Sequence, residues 1–159
     1  ARVVGAITRY LYAPEEMAAV HDALVDDATR LVTLTVTADG YAMDPRGVLD
    51  GRAAAGHGDL RDPASPATAI GLVTESLVRR RALGRRPFTV LSCDNLPASG
   101  MVTRTAVLSS AAMRDARLAR WIDESVSFPD CMVDRITPGT TDEDRRRLSA
   151  CSASVTDGR

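Results

Sequence analysis

The chain has 159 residues, 45% of them hydrophobic and 26% charged, with a formal net charge of −1. That suffices for one domain with a real core, or one domain and part of another. A near-neutral chain has no global field to recruit nucleic acid or an anionic membrane, and no apolar run nears the roughly 20 residues of a membrane span.

All 20 residues that count as Lys or Arg are Arg, so no lysine chemistry can come from this chain. Cys93, Cys131 and Cys151 are few and widely spaced. That argues against a disulfide framework and suits a reducing, cytoplasmic setting.

Residues 3–7 form a short apolar run that predicts a strand and makes a poor signal peptide. Pro14 opens a helix with Glu15 and Glu16 in its first turn, where the helix dipole favours anions. Met17, Val20 and Leu24 follow at helical spacing, and the helix stops near Asp26. Residues 31–37, LVTLTVT, are rich in β-branched side chains and bounded by Arg30 and Asp39-Gly40, which predicts a strand buried on at least one face. Strand, helix and strand in succession make a βαβ unit, the crossover that parallel strands require.

Residues 41–64 read as a long loop rich in Gly, Asp, Arg and Pro. Its GHGDLR (residues 56–61) hints at a phosphate loop, but it lacks a third glycine, a strand before it and a helix at its end, so a surface loop is the expectation. Ser65 and Pro66 suit the N-cap and first position of a helix whose apolar face carries Ile70, Val73 and Leu77. It ends in RRRALGRR (residues 79–86), with Gly84 just past the terminus. Those arginines read as a solvated helix end, because cations suit a C-terminus and no aromatic residues interleave them.

Residues 88–92 predict a third strand, and residues 101–122 a helix with Val107, Ala111, Leu118 and Ile122 on one face. Residues 125–138 bring a strand-like piece, a proline turn and an apolar patch ending in Asp134-Arg135. Thr141 and Asp144 resemble a capping arrangement for a helix from Asp142, and the tail is small and polar. The alternation predicts an α/β fold with a mainly parallel sheet. Ligands of such sheets bind beyond the carboxyl ends of the strands, which singles out residues 37–41 and Cys93-Asp94-Asn95.

Cys93 as a nucleophile would need a thiolate and a base. His21 lies in a predicted helix and His57 in the long loop, neither within a motif, so Cys93 reads as structural. No CxxC pair or other ligand set appears, so no metal is expected. Asn95 is a neutral amide at a strand's carboxyl end. It can donate to an oxygen that gains negative charge, as a carbonyl does in hydride transfer, or it can cap the following turn. Asp134 and Arg135 can form a structural ion pair or line a pocket for a hydroxylated substrate. Asp94 reads as local scaffolding of the turn.

PFTVLSCDNLPASG (residues 87–100) followed by FPDCMVDRITPGT (residues 128–140) resembles the mannitol dehydrogenase family, the polyol-specific long-chain dehydrogenases that include mannitol 2-dehydrogenase and fructuronate reductase. RLVTLTVTADGY and SPATAIGLVTESLVRRRALGRRPFTV resemble the family's segments in the right order, so the similarity covers roughly residues 1–145. The resemblance implies a Rossmann-like, mainly parallel sheet with flanking helices, lacking its first βαβ phosphate-loop unit. Residues 1–138 would be the latter part of the NAD(P)-binding domain, and residues 139–159 the start of a helical catalytic domain or a tail.

The implied activity is zinc-independent: an NAD- or NADP-dependent secondary-alcohol dehydrogenase that interconverts a polyol or sugar acid with its keto sugar. By resemblance Asn95 polarises the reacting oxygen, Asp134 and Arg135 face the substrate, and Val36, Thr37 and Asn95 lie beside the cofactor. The family's glycine-rich loop would precede this chain and its catalytic lysine would follow it. Ala38 stands where the family usually has Glu. The 159 residues alone are therefore expected not to oxidise polyols. A non-catalytic binding or interaction module on a degenerate Rossmann-like fold is the rival reading.

Overall fold

The computed structural model describes residues 5–36, 38–41, 59, 62–132, 141–143 and 146. Two parallel strands centre it. Leu31–Leu34 (β1) pairs with Thr89–Ser92 (β2), Leu31 opposite Thr89 and Leu34 opposite Ser92. Around them run Ala13–Val25 (α1), a 3-10 turn at Ala38–Tyr41, Ala69–Ala82 (α2), Ser99–Arg114 (α3) and Ala116–Ser125 (α4). The period-2 rule puts Val32, Leu34, Val90 and Ser92 on one face. Val90 and Ser92 there are fully buried, whereas Leu31 and Thr33 on the opposite face are exposed. The buried face meets Val73 and Leu77 of α2, Val107 of α3 and Ile122 of α4 in one core. No described helix is long and apolar enough to cross a membrane.

The structure moves several predicted boundaries. The described part of the first predicted strand, residues 5–7, is turn and irregular chain, with Ile7 exposed and no strand paired to it among the described residues. The second strand ends at Leu34, short of Thr37: the last rung is Cys93 N–H to the Leu34 carbonyl (2.7 Å), and Val36 N–H turns instead to the Asp94 carboxylate (3.1 Å). Helix α2 starts later than Ser65-Pro66. Thr68 is its N-cap, accepting from Gly71 N–H at 2.9 Å. The buried Asp59 carboxylate holds that entry by accepting the N–H groups of Ala67 and Thr68. The single helix expected over residues 101–122 is two helices. Asp115 is extended (φ −159°, ψ 123°), closes α3, and caps α4 by accepting Arg117 N–H at 2.9 Å. Most of the loop at 41–64, and Asp144 of the expected cap, lie outside the described residues.

The arginine-rich end of α2 is not all solvated. Arg80 is buried, and its guanidinium donates to the carbonyls of Leu24 (2.8 Å), Thr29 (2.8 Å), Asp26 and Arg86. Periodicity does not separate Arg80 from its exposed neighbour Arg81, because a guanidinium can enter a core only where carbonyls from distant segments converge on it. Gly84 ends the helix as expected. Its φ of +65° suits glycine, and Arg85 N–H returns to the Arg80 carbonyl at 2.9 Å.

Candidate active site at the strand exits

Beyond the last rung the two strands part, and one carboxylate bridges the gap. Asp94 is buried at 6% exposure. Its Oδ2 accepts the N–H of Val36 at 3.1 Å and the hydroxyl of Tyr41 at 2.7 Å, and it lies 3.4 Å from Ser92 Oγ. The Tyr41 oxygen is also 2.8 Å from Ser92 Oγ. A phenol has one proton, and the carboxylate takes it, so the Ser92 hydroxyl donates to Tyr41. Burial, foremost, raises the Tyr41 pKa above its ordinary 10.0; the Ser92 hydrogen bond opposes this and Asp94 reinforces it. The phenol therefore stays protonated at neutral pH.

Asn95 follows directly and is exposed. Leu96 N–H bonds back to the Asp94 carbonyl at 2.8 Å, which makes Asn95 the centre of a three-residue turn. Ala98 then adopts a left-handed conformation (φ 51°) before α3 begins. The geometry thus sets Asn95, an exposed residue with a neutral amide, at the mouth of the strand pair, on a base fixed by a buried carboxylate. Half-buried Val36 adds an apolar wall on the β1 side.

A second strip of chain comes to the same place. Val90 N–H donates to the Ser127 carbonyl at 3.0 Å, Gly100 N–H to Asp130 Oδ1 at 2.8 Å, and Cys131 N–H to Ser99 Oγ at 3.5 Å. Residues 127–131 are thereby laid along β2 and the N-terminus of α3. Glycine is needed at 100 because a Cβ there would strike the Phe128 carbonyl and stand 2.8 Å from Pro129 backbone atoms. This strip leads toward Asp134 and Arg135, which, like Thr37, lie outside the described residues, and nothing is described of the Ala38 or Asp39 side chains.

Cys93 is half-buried beside Cys131. Burial raises its pKa, and Cys131 and Asp94 raise it further, so it is a protonated thiol at neutral pH and a poor nucleophile. His21 is buried in α1 with Nε2 3.0 Å from the Ala64 carbonyl, away from the strand exits. No group of three or more potential metal ligands occurs among the described residues.

Residues 37–41 were singled out as a place, but the contact of Tyr41 with Asp94 is what sequence reasoning missed. Tyr41 follows Asp39-Gly40 like an ordinary turn residue, 53 positions from its partner. The one available signal was Asp94 itself, because a carboxylate at the end of a buried strand needs donors from elsewhere.

A family model described as the Rossmann domain of mannitol dehydrogenase matches residues 1–154. The polyol:NADP oxidoreductase of Gluconobacter oxydans is 47% identical over 152 residues, covering 95% of this chain and 31% of that protein. A substrate-free D-sorbitol dehydrogenase structure superposes with a TM-score of 0.79 at 45% identity, covering 94% of this chain and 31% of that one. The Pseudomonas fluorescens mannitol 2-dehydrogenase, solved as a ternary complex with NAD and D-mannitol, gives 0.76 at 42% identity, with 92% and 30% covered. The chain thus spans about three-tenths of the length of the relatives it matches.

Proposed function

The chain belongs to the mannitol dehydrogenase family, and from that premise we propose that its parent protein transfers a hydride between NAD or NADP and a secondary alcohol of a polyol or sugar acid. The observation that carries this reading is the exposed Asn95 amide at the parted carboxyl ends of two parallel strands, held on a buried Asp94. Its surroundings fit a flat ring better than a phosphate. Val36 is apolar and half-buried, Asn95 is neutral, and the Asp94 charge is turned inward onto Val36 and Tyr41.

Bound NAD(P) supplies the hydride acceptor or donor. Val36, Thr37 and Asn95 would stand beside it. The Asn95 amide donates a hydrogen bond to the oxygen of the reacting carbon, which carries growing negative charge as a carbonyl is reduced. A fixed donor there lowers the barrier without reorganising. Asp134 accepts hydrogen bonds from substrate hydroxyls, and Arg135 offers donors to a further hydroxyl or a carboxylate.

The test is turnover by the full-length parent. Asn95→Ala is expected to lower kcat about a hundredfold or more, the scale of a lost oxyanion donor. Unchanged turnover removes Asn95 from the mechanism.

A further inference from the structure

We propose that Tyr41 and Asp94 together are the positioning device of the active site: the Tyr41–Asp94 hydrogen bond fixes the turn that aims Asn95. This rests on the reading of Asn95 given above and extends it to residues that touch neither substrate nor cofactor.

Parallel strands diverge past their last rung, and here nothing in the ladder itself holds their ends together beyond Cys93 N–H and the Leu34 carbonyl. Asp94 closes that gap from the β2 side by taking Val36 N–H, two residues past the end of β1, and the Tyr41 hydroxyl at the end of the 3-10 turn. The same residue supplies the carbonyl that Leu96 N–H closes onto. Asn95 is therefore bracketed: its turn is closed on the Asp94 carbonyl, and the Asp94 side chain is pinned to the β1 exit. Ser92 steadies the arrangement from below, with Oγ 2.8 Å from the Tyr41 oxygen and 3.3 Å from Asp94 N.

Removing the Tyr41 hydroxyl takes away the shortest described contact of the carboxylate and leaves Val36 N–H and Ser92 to hold it, so the turn carrying Asn95 loosens. The aromatic ring is a separate matter. Tyr41 is buried at 1% exposure and packs in the core, so Tyr41→Phe keeps the packing and deletes only the clamp.

In the full-length parent, Tyr41→Phe is expected to lower kcat about tenfold, within the range for a small misplacement of a reacting group. The KM for the cofactor should stay near the parent value, and the thermal midpoint should fall only by the few degrees that one lost buried hydrogen bond costs. Asp94→Asn keeps one acceptor oxygen and is expected to lower kcat by less than Tyr41→Phe, which guards against a variant that merely folds badly. The deciding measurement is a double-mutant cycle. If Tyr41 acts through Asn95, Tyr41→Phe has no further effect on kcat once Asn95 is Ala. Multiplying effects overturn the proposal, and so does an unchanged kcat in Tyr41→Phe beside a crippled Asn95→Ala.

Should Asn95→Ala itself leave turnover intact, the catalytic reading of Asn95 fails, and the clamp is judged separately by NMR of the parent labelled on asparagine side chains. The clamp predicts that Tyr41→Phe shifts and broadens the Asn95 amide resonance. An unmoved resonance overturns it.

Discussion

The Arg80 guanidinium lies over the Phe88 ring, 5.1 Å from its centroid, while its nitrogens serve four backbone carbonyls. Those carbonyls belong to Leu24, Asp26, Thr29 and Arg86, so one side chain ties the end of α1, the approach to β1 and the approach to β2. Desolvation, the main cause, lowers its pKa, yet an arginine keeps its charge at any working pH. Replacing it removes the shared donor of these carbonyls, of which, among the described residues, Asp26 alone is also met by Thr29 N–H at 3.0 Å. Arg80→Leu is expected to destabilise the protein by about 3 kcal/mol or more, since each buried carbonyl left unmet costs about 1–3 kcal/mol. Arg80→Lys should cost less but still about 1–3 kcal/mol, because one ammonium cannot meet the fork of acceptors. Urea unfolding of each variant checks both values, and a lysine variant as stable as the parent protein would contradict the account.

Tyr41 predicts an alkaline limit. Its folded pKa is raised from 10.0, first by burial and then by Asp94, against the opposing Ser92 hydrogen bond. Raising an acid's pKa in the folded state means that its protonated form is preferred there. The contribution is therefore fully present below pH 10.0 and is lost as pH rises through the folded value. The stability of the protein should fall more steeply with pH above about 10 than that of Tyr41→Phe. Subtracting the ultraviolet titration of Tyr41→Phe from that of the parent should reveal one tyrosine ionising above the ordinary 10.0. Equal slopes in the two proteins would refute it.

These two residues show where sequence reading stops. The parallel α/β order, the strand at 89–92 and the polar turn that follows it were legible because they rest on local signals: β-branched runs, a proline or glycine at a helix end, and a polar cluster after an apolar stretch. The resemblance carried by SCDNLPASG and the segment from Phe128 added the family. What stayed hidden depends on contacts between distant positions. Arg80 looked like Arg79 and Arg81, and only the meeting of α1 with α2 makes it a buried strut. Asp115 sits within an apolar helical period that continues through it, so its cap of α4 was outvoted by Leu118 and Ile122. Tyr41 and Asp94 are the same lesson at the candidate site: their hydrogen bond joins positions 53 apart.

Gly100 makes the last prediction, in which two effects of opposite sign compete. Glycine inside a helix costs about 0.5–1 kcal/mol relative to alanine, so Gly100→Ala should stabilise if space allowed. It does not allow it. A Cβ would press on the Phe128 carbonyl and on Pro129 backbone atoms at 2.8 Å, and backbone cannot rotate aside as a side chain does. Overpacking of this kind costs about 1–3 kcal/mol, so the net effect should be destabilising. The substitution should also loosen the Gly100 N–H to Asp130 bond and shift residues 127–131, the strip that leads toward Asp134 and Arg135. In the full-length parent the KM for the polyol should then rise more than kcat falls, if those two residues hold the substrate as proposed. Met101→Ala, at an exposed neighbour, is the control and should lie within about 0.5 kcal/mol of the parent. A Gly100→Ala protein that gains stability would mean that the strip yields freely and does not brace the site.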